Sequence, residues 1–210
     1  MILMHGANSI KRGGGNTERI GDKDYRVAIM PDGNVWMCEN LDYAYEGLPI
    51  GSSTSSGKRA TYIDNDPNVY GWNGRKCGLL YNFDAVSYLE ANKSTLIPGW
   101  HVPTASEWNS LITAVSENPG TKLKALDNSI VVGFPSNWNG LDSFGFGVVP
   151  CGYAIQNDFY CSDDEAWYIT IPAASPSHTY FMRFTTGSAI NQIYDAQYHF
   201  AAVRLVKDAT

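Results

Sequence analysis

The chain has 210 residues, of which 44% are hydrophobic, 13% aromatic and only 17% charged, and its formal net charge is −6. That much apolar area, with six Trp, argues against disorder and for one domain with a substantial core. Scattered Lys and Arg on an acidic chain give no basic stripe, which argues against a nucleic-acid partner.

Residues 1–20 carry Gly13-Gly14-Gly15-Asn16-Thr17 and read as a flexible segment, a candidate assembly arm. Its start lacks a basic run followed by a sustained apolar stretch, so no signal peptide is expected. No apolar run approaches the roughly 18–20 residues of a membrane-spanning helix, so no membrane insertion is expected. Residues 24–30 predict a strand, Pro31-Asp32-Gly33-Asn34 a turn, and Val35 to Cys38 the second strand of a hairpin. Residues 47–61 and 64–74 are rich in turn formers and read as loops. Residues 78–91 predict a helix from Leu79, Phe83, Val86 and Leu89. Thr104 followed by Glu107 predicts a capping box, and Trp108, Leu111, Ile112 and Val115 one apolar helix face. Asn118-Pro119-Gly120 is expected to end that helix.

From residue 130 short alternating segments take over: Phe144–Pro150, Ala166–Thr170, Thr179–Phe184 and Phe200–Val206. In Thr179–Phe184 the alternation turns Tyr180, Met182 and Phe184 inward, and Phe181 and Arg183 outward. The order of elements predicts an α+β domain, two helices with small antiparallel sheets and long loops. Among the cysteines, Cys38 lies in an apolar run and reads as core. Cys151 and Cys161 could close a disulfide across a short loop, but free, mostly buried thiols are the favoured expectation.

Five motifs run in order along the chain: Trp36-Met37-Cys38-Glu39-Asn40-Leu41; Gly78-Leu79-Leu80-Tyr81-Asn82-Phe83-Asp84-Ala85-Val86; Pro98-Gly99-Trp100-His101-Val102-Pro103-Thr104 with Glu107-Trp108; Phe144-Gly145-Phe146 with Pro150 and Gly152-Tyr153; and Val203-Arg204-Leu205-Val206-Lys207-Asp208. Together they resemble the Fibrobacter succinogenes major paralogous domain across residues 24–208. The resemblance implies a C-type-lectin-like fold, with residues 21–210 as its ligand-binding domain. Related domains include surface proteins of gut bacteria and variable proteins of diversity-generating retroelements, some displayed on phage. The formylglycine-generating enzymes are more distant in fold. Trp36, Trp100 and Trp108 read as core, and His101 and Glu107 as structural. Arg204 is expected to pair with a carboxylate or with backbone carbonyls inside the fold.

In such variable proteins the tract after a Trp-bearing strand forms the binding surface, and Ala166-Trp167-Tyr168-Ile169-Thr170 corresponds to that strand. It departs from the family's Trp-Trp-Ser-Ser-Thr pattern at Tyr168 and Ile169. Residues 168–200 contain no Lys, Trp or Glu, as expected of codons diversified from Asn, although Gln192 and Gln197 do not fit that origin. Tyr and Phe among Ser, Asn and Gly also suit an adaptable paratope. The candidate ligand-binding residues are therefore Tyr168, Thr170, Ser175, His178, Phe181, Arg183, Ile190, Asn191, Tyr194, Asp195, Tyr198, His199 and Phe200.

The expected function is recognition of a protein or glycan receptor by a retroelement variable protein on a phage particle. The alternative is a bacterial surface adhesin or glycan binder of fixed specificity. Either reading places the protein on a virion or an extracellular surface. A homo-oligomer assembled through the N-terminal arm would add avidity. No catalytic constellation stands out, so no enzyme activity and no catalytic residue are expected. No cofactor is expected either. Asp163, Asp164 and Glu165 carry oxygens suited to calcium, but they read as a solvated turn. The carboxylate–amide signatures of calcium-dependent sugar binding are missing, since Trp72-Asn73-Gly74 and Trp138-Asn139-Gly140 lack the following Asp.

Overall fold

The computed structural model describes residues 16–51, 57–62, 77–126, 137–156, 158–160 and 164–208. In chain order these hold β1 (Asn16–Ile20), β2 (Lys23–Ile29), β3 (Val35–Met37), β4 (Ala60–Thr61) and β5 (Leu80–Tyr81). Four helices follow: α1 (Phe83–Ala91), α2 (Lys93–Leu96), α3 (Ala105–Val115) and α4 (Pro119–Leu123). The chain closes with β6 (Tyr153–Ile155), β7 (Asp158–Tyr160), β8 (Ala166–Ile169), β9 (His178–Phe184), β10 (Ile190–Ala196) and β11 (Val206–Lys207). The strands form small antiparallel sheets ordered β1-β2-β3-β11, β10-β9-β8, β4-β5 and β6-β7. The domain is thus α+β, with four helices among the described residues rather than two.

The hairpin expected at 24–38 is β2–β3, and its turn is locked by Asp32. One carboxylate oxygen accepts from the Asn34 amide and the other from the Trp36 indole, at 3.2 and 3.0 Å. The same hairpin corrects the reading of residues 1–20 as wholly flexible. Residues 16–20 form β1, in register with β2, because the pleat gives Ile20 a buried site. The rest of the expected arm, residues 1–15, lies outside the described residues. Far along the chain, β11 joins the free side of β3, so the two ends of the domain close one sheet.

The helix expected from residue 78 starts only at Phe83. Leu79, Leu80 and Tyr81 are all fully buried, which a helix with one wet face cannot provide, and residues 80–81 pair with β4 instead. Asn82 then caps α1, its side-chain oxygen accepting from the Ala85 amide at 3.0 Å. Gly78 takes φ 72°, and a Cβ there would stand 2.7 Å from the Leu41 carbonyl oxygen, so the motif needs glycine. The capping box of α3 forms as its sequence predicts: Thr104 accepts from the Glu107 amide and Glu107 from the Thr104 amide. Asn118-Pro119-Gly120 does not simply end this helix. Ser116 at φ 67° ends α3, and Pro119 opens α4, where a missing N–H costs nothing. Residues 144–150 form no strand. Phe146, Val148 and Val149 are buried in irregular chain joined to Lys124 through one bridge at Val148.

Two apolar clusters flank the β8-β9-β10 sheet. One gathers Trp36, Trp108, Trp138, Phe146, Tyr168, Met182 and Phe184; the other gathers Trp100, Val102, Trp167, Ile169, Phe181 and Val203. Between them lies a buried polar hub. Asn40 donates to the Cys77 carbonyl at 2.9 Å and accepts from the Tyr168 hydroxyl at 3.0 Å and from Arg204 Nε at 2.7 Å. Arg204 Nη1 and Nη2 donate to the carbonyls of Met37, Phe146 and Gly147, so its buried charge is held by oxygen dipoles. The disulfide beside this hub joins Cys77 to Cys151, which corrects the expectation of free thiols at both. Their spacing of 74 residues hid a pairing that only the fold creates. Cys38 is a free, buried thiol, and Cys161 lies outside the described residues.

Candidate functional site

The register of β8, β9 and β10 sorts the candidate residues onto two faces. Tyr168, Met182 and Phe184 share one face with Gln192, Tyr194, Tyr180 and His178. Trp167, Arg183 and Asn191 share the other with Phe181, Ile193, Thr179 and Asp195. The middle of the sheet is packed on both sides, and this overturns part of the outward alternation read from residues 179–184. Phe181 is buried as fully as Met182, because a second apolar cluster covers the face that was expected to be wet.

Four more candidates prove buried for related reasons. Tyr168 has 0% exposure and spends its hydroxyl on Asn40. Thr170 is fully buried, donating to the Tyr180 carbonyl while its own carbonyl accepts from Thr179 Oγ1. Phe200 is buried and bridges Ala154 through its backbone. His199 keeps 5% exposure, wedged near the rings of Trp167 and Tyr153. Ile190 is half-buried against the Trp108 cluster, and Asn191 is exposed on the edge strand.

The remaining candidates other than Arg183 gather where β9 begins and β10 ends, the open end of the hairpin. Tyr194 stacks on His178 with centroids 4.7 Å apart and planes 6° apart, and its hydroxyl donates to Ser175 Oγ at 3.1 Å. Tyr180 tilts against Tyr194. Gln197 ties the loop down by donating to the carbonyls of Ser175 and His178. Tyr198 meets the His199 ring edge-on at 4.7 Å, and Asp195 Oδ2 stands 3.5 Å from His199 Nδ1. Tyr194 and Tyr198 are 53% and 59% exposed, among the most exposed large side chains described. Burial pulls the His199 imidazole below its ordinary 6.5; Asp195 opposes that shift and His178 adds to it. This end of the hairpin therefore presents aromatic rings beside hydroxyl, amide and carboxylate groups.

The other end of the hairpin is clamped. Lys124, fully buried, sends Nζ to the carbonyls of Thr185, Thr186 and Gly187 at 2.8–3.2 Å. Gly120 N donates to the Ser188 carbonyl at 2.8 Å, and a Cβ on Gly120 would come within 2.7 Å of that oxygen. Arg183 lies 3.9 Å from Glu165, which also accepts from the Trp167 indole at 2.6 Å. Glu165 thus works as a side-chain anchor. Asp164 is exposed, and Asp163 lies outside the described residues, as does Trp72-Asn73-Gly74. No group of three metal-ligating side chains occurs among the described residues.

Sequence reasoning missed Tyr153, Tyr160 and Tyr180. Tyr153 stacks on Trp167 at 4.0 Å and on Tyr160 at 5.3 Å, beside His199. Tyr153 sits in a motif read as scaffold, and only the β6–β7 pairing brings Tyr160 opposite it. His101 and Glu107 are 2.6 Å apart. The hydrogen bond to Glu107 raises the His101 pKa against the effect of burial, and Glu107 also completes the α3 cap. A shallow open groove of about 580 Å³ beside α3 is lined by Asp32, Ser106, Asn109 and Thr113 among others, and by none of the candidate residues.

These features define an α+β domain whose aromatic hairpin end faces outward from a doubly packed sheet. The chain matches the Fibrobacter succinogenes major domain over residues 31–207 and belongs to that family. Neither a curated protein nor a solved structure matches it. No helix among the described residues is long and apolar enough to cross a membrane.

Proposed function

We propose that this protein is a receptor-recognition module of C-type-lectin-like fold whose binding surface is the open end of the β9–β10 hairpin. The observation that carries the reading is the exposure of Tyr194 and Tyr198 beside Ser175, His178 and Asp195, on and just beyond the paired strands β9 and β10. Large stiff rings with one hydroxyl each give contact area at low entropic cost, as paratopes require. The protein acts as a binder and not as an enzyme, recognises a protein or glycan on a cell surface, and needs no cofactor. It works as a retroelement variable protein on a phage particle, where oligomers multiply weak single sites.

The sheet geometry sharpens where diversification is tolerated. Substitutions belong at 175, 178, 191, 194, 195 and 198, and not at the buried 168, 170, 181 and 200. Sequencing the 3′ end of the gene across many copies from its source population tests this. Adenine-templated changes clustered at the exposed positions support the reading, and flat variation removes the retroelement part of it. The second reading, a fixed-specificity surface adhesin, draws support from the Cys77–Cys151 disulfide, because such bonds persist in oxidising, extracytoplasmic settings.

A further inference from the structure

From Tyr198 at the open hairpin end an aromatic strip runs on to Tyr160. Tyr160, 39% exposed, stacks on Tyr153, which stacks in turn on Trp167. His199 leans on both Tyr153 and Trp167, and Tyr198 meets His199 at the far side. The strip therefore has exposed rings at its two ends and a buried middle. Polar groups flank it: Arg183 faces the same way as its cross-strand partner Trp167, with Glu165 beside both, and Asp195 stands next to His199.

Arg183 Nε is buried without a hydrogen-bond partner, and His199 Nδ1 has the Asp195 carboxylate 3.5 Å away. Two carboxylates, Glu165 and Asp195, set against the single guanidinium of Arg183 disfavour an anionic ligand. A ligand whose groups both donate and accept complements the guanidinium, carboxylate and phenol groups along the strip. Hydroxyls do this, and the C–H faces of a sugar ring lie flat on exposed tyrosines. We infer that the strip from Tyr160 to Tyr198 binds a neutral oligosaccharide without a metal, an inference that rests on the binding reading above and names its ligand class.

The test titrates the intact protein with cellohexaose, xylohexaose, mannohexaose and chitohexaose, and with an acidic trigalacturonate. Trp fluorescence and saturation-transfer NMR report binding, in buffer with and without EDTA. At least one neutral hexaose binds, EDTA changes nothing, and Tyr160→Ala weakens binding roughly tenfold. Tyr160→Phe keeps the ring and stays within about twofold, which separates lost stacking from lost folding. Tyr88→Ala, in the remote Tyr45–Tyr88 stack, leaves binding unchanged. If no neutral sugar binds, or only the acidic one does, the inference is overturned. Bacterial cells that the protein captures then separate the two levels. Capture that survives periodate but not protease leaves the recognition reading standing without the sugar, and no capture of any cell removes both.

Discussion

The two ends of one hairpin do opposite work. At the closed end the chain's own groups hold the turn: the Lys124 ammonium takes three turn carbonyls, and Gly120 admits the turn at a distance no side chain permits. At the open end the sheet carries the same strands outward and leaves Tyr194 and Tyr198 facing solvent. A stretch with uniform composition thus divides into scaffold and surface according to what packs against it. Composition reports what a segment can contact, and the fold decides which contacts are already taken.

Substitutions break this comparison in a graded order. Tyr168→Ala, within the packed middle, deletes a buried ring and one of the two hydrogen bonds that Asn40 Oδ1 accepts, and is expected to cost about 3–5 kcal/mol in chemical denaturation. The same change would be nearly silent if Tyr168 were a surface residue. Lys124→Met leaves three turn carbonyls short of a donor and is expected to lose about 2–4 kcal/mol. Gly120→Ala forces the turn away from α4 at about 1–3 kcal/mol, seen as a lower melting temperature and faster hydrogen exchange in residues 185–189. Tyr194→Ala falls within about 1 kcal/mol of the parent, because it removes little buried area.

Titration separates two histidines in opposite directions. The folded pKa of His199 is depressed by burial, so its contribution is intact above 6.5 and declines as pH falls below that toward the lower folded value. His101 is raised, chiefly by its bond to Glu107, so its contribution is intact below 6.5 and declines as pH rises through the folded value. Urea titrations across pH should therefore show His199→Phe flattening the acid side and His101→Gln flattening the neutral-to-alkaline side. A mutant that changes neither limb would show that its imidazole does not titrate between the folded and unfolded states as described.

Much of the frame was legible in the sequence, because its signals are local. The β2–β3 turn, the Thr104–Glu107 box and the apolar face of α3 each lie within a dozen residues. The family motifs likewise carry their physical reasons openly once Asn40 and Arg204 are seen to meet. What escaped is non-local. A helix pattern at 78–82 gave way to a strand because both sides of Leu79–Tyr81 are covered, which periodicity cannot register. Phe181 alternates as if outward and is buried in a cluster whose members run along the chain from Ile20 to Leu205. Cys77 found Cys151 across 74 residues, and Tyr160 reached the candidate surface only through β6–β7 pairing. Among the candidate residues, the exposure of Tyr194 and Tyr198 agrees with the reading by residue type, whereas the burial of Tyr168, Thr170, Phe181 and Phe200 was not legible in it.

The central claim is that binding resides at the open end of the hairpin and stability at the closed end. Capture of surface-labelled bacterial cells by the intact protein, set beside Tyr194→Ala/Tyr198→Ala and Lys124→Met, tests it most directly. The account predicts that the double tyrosine variant melts within a few degrees of the parent and captures no cells. It predicts that Lys124→Met melts much lower, yet captures cells normally wherever it remains folded. Undiminished capture by a folded Tyr194→Ala/Tyr198→Ala protein would contradict the account.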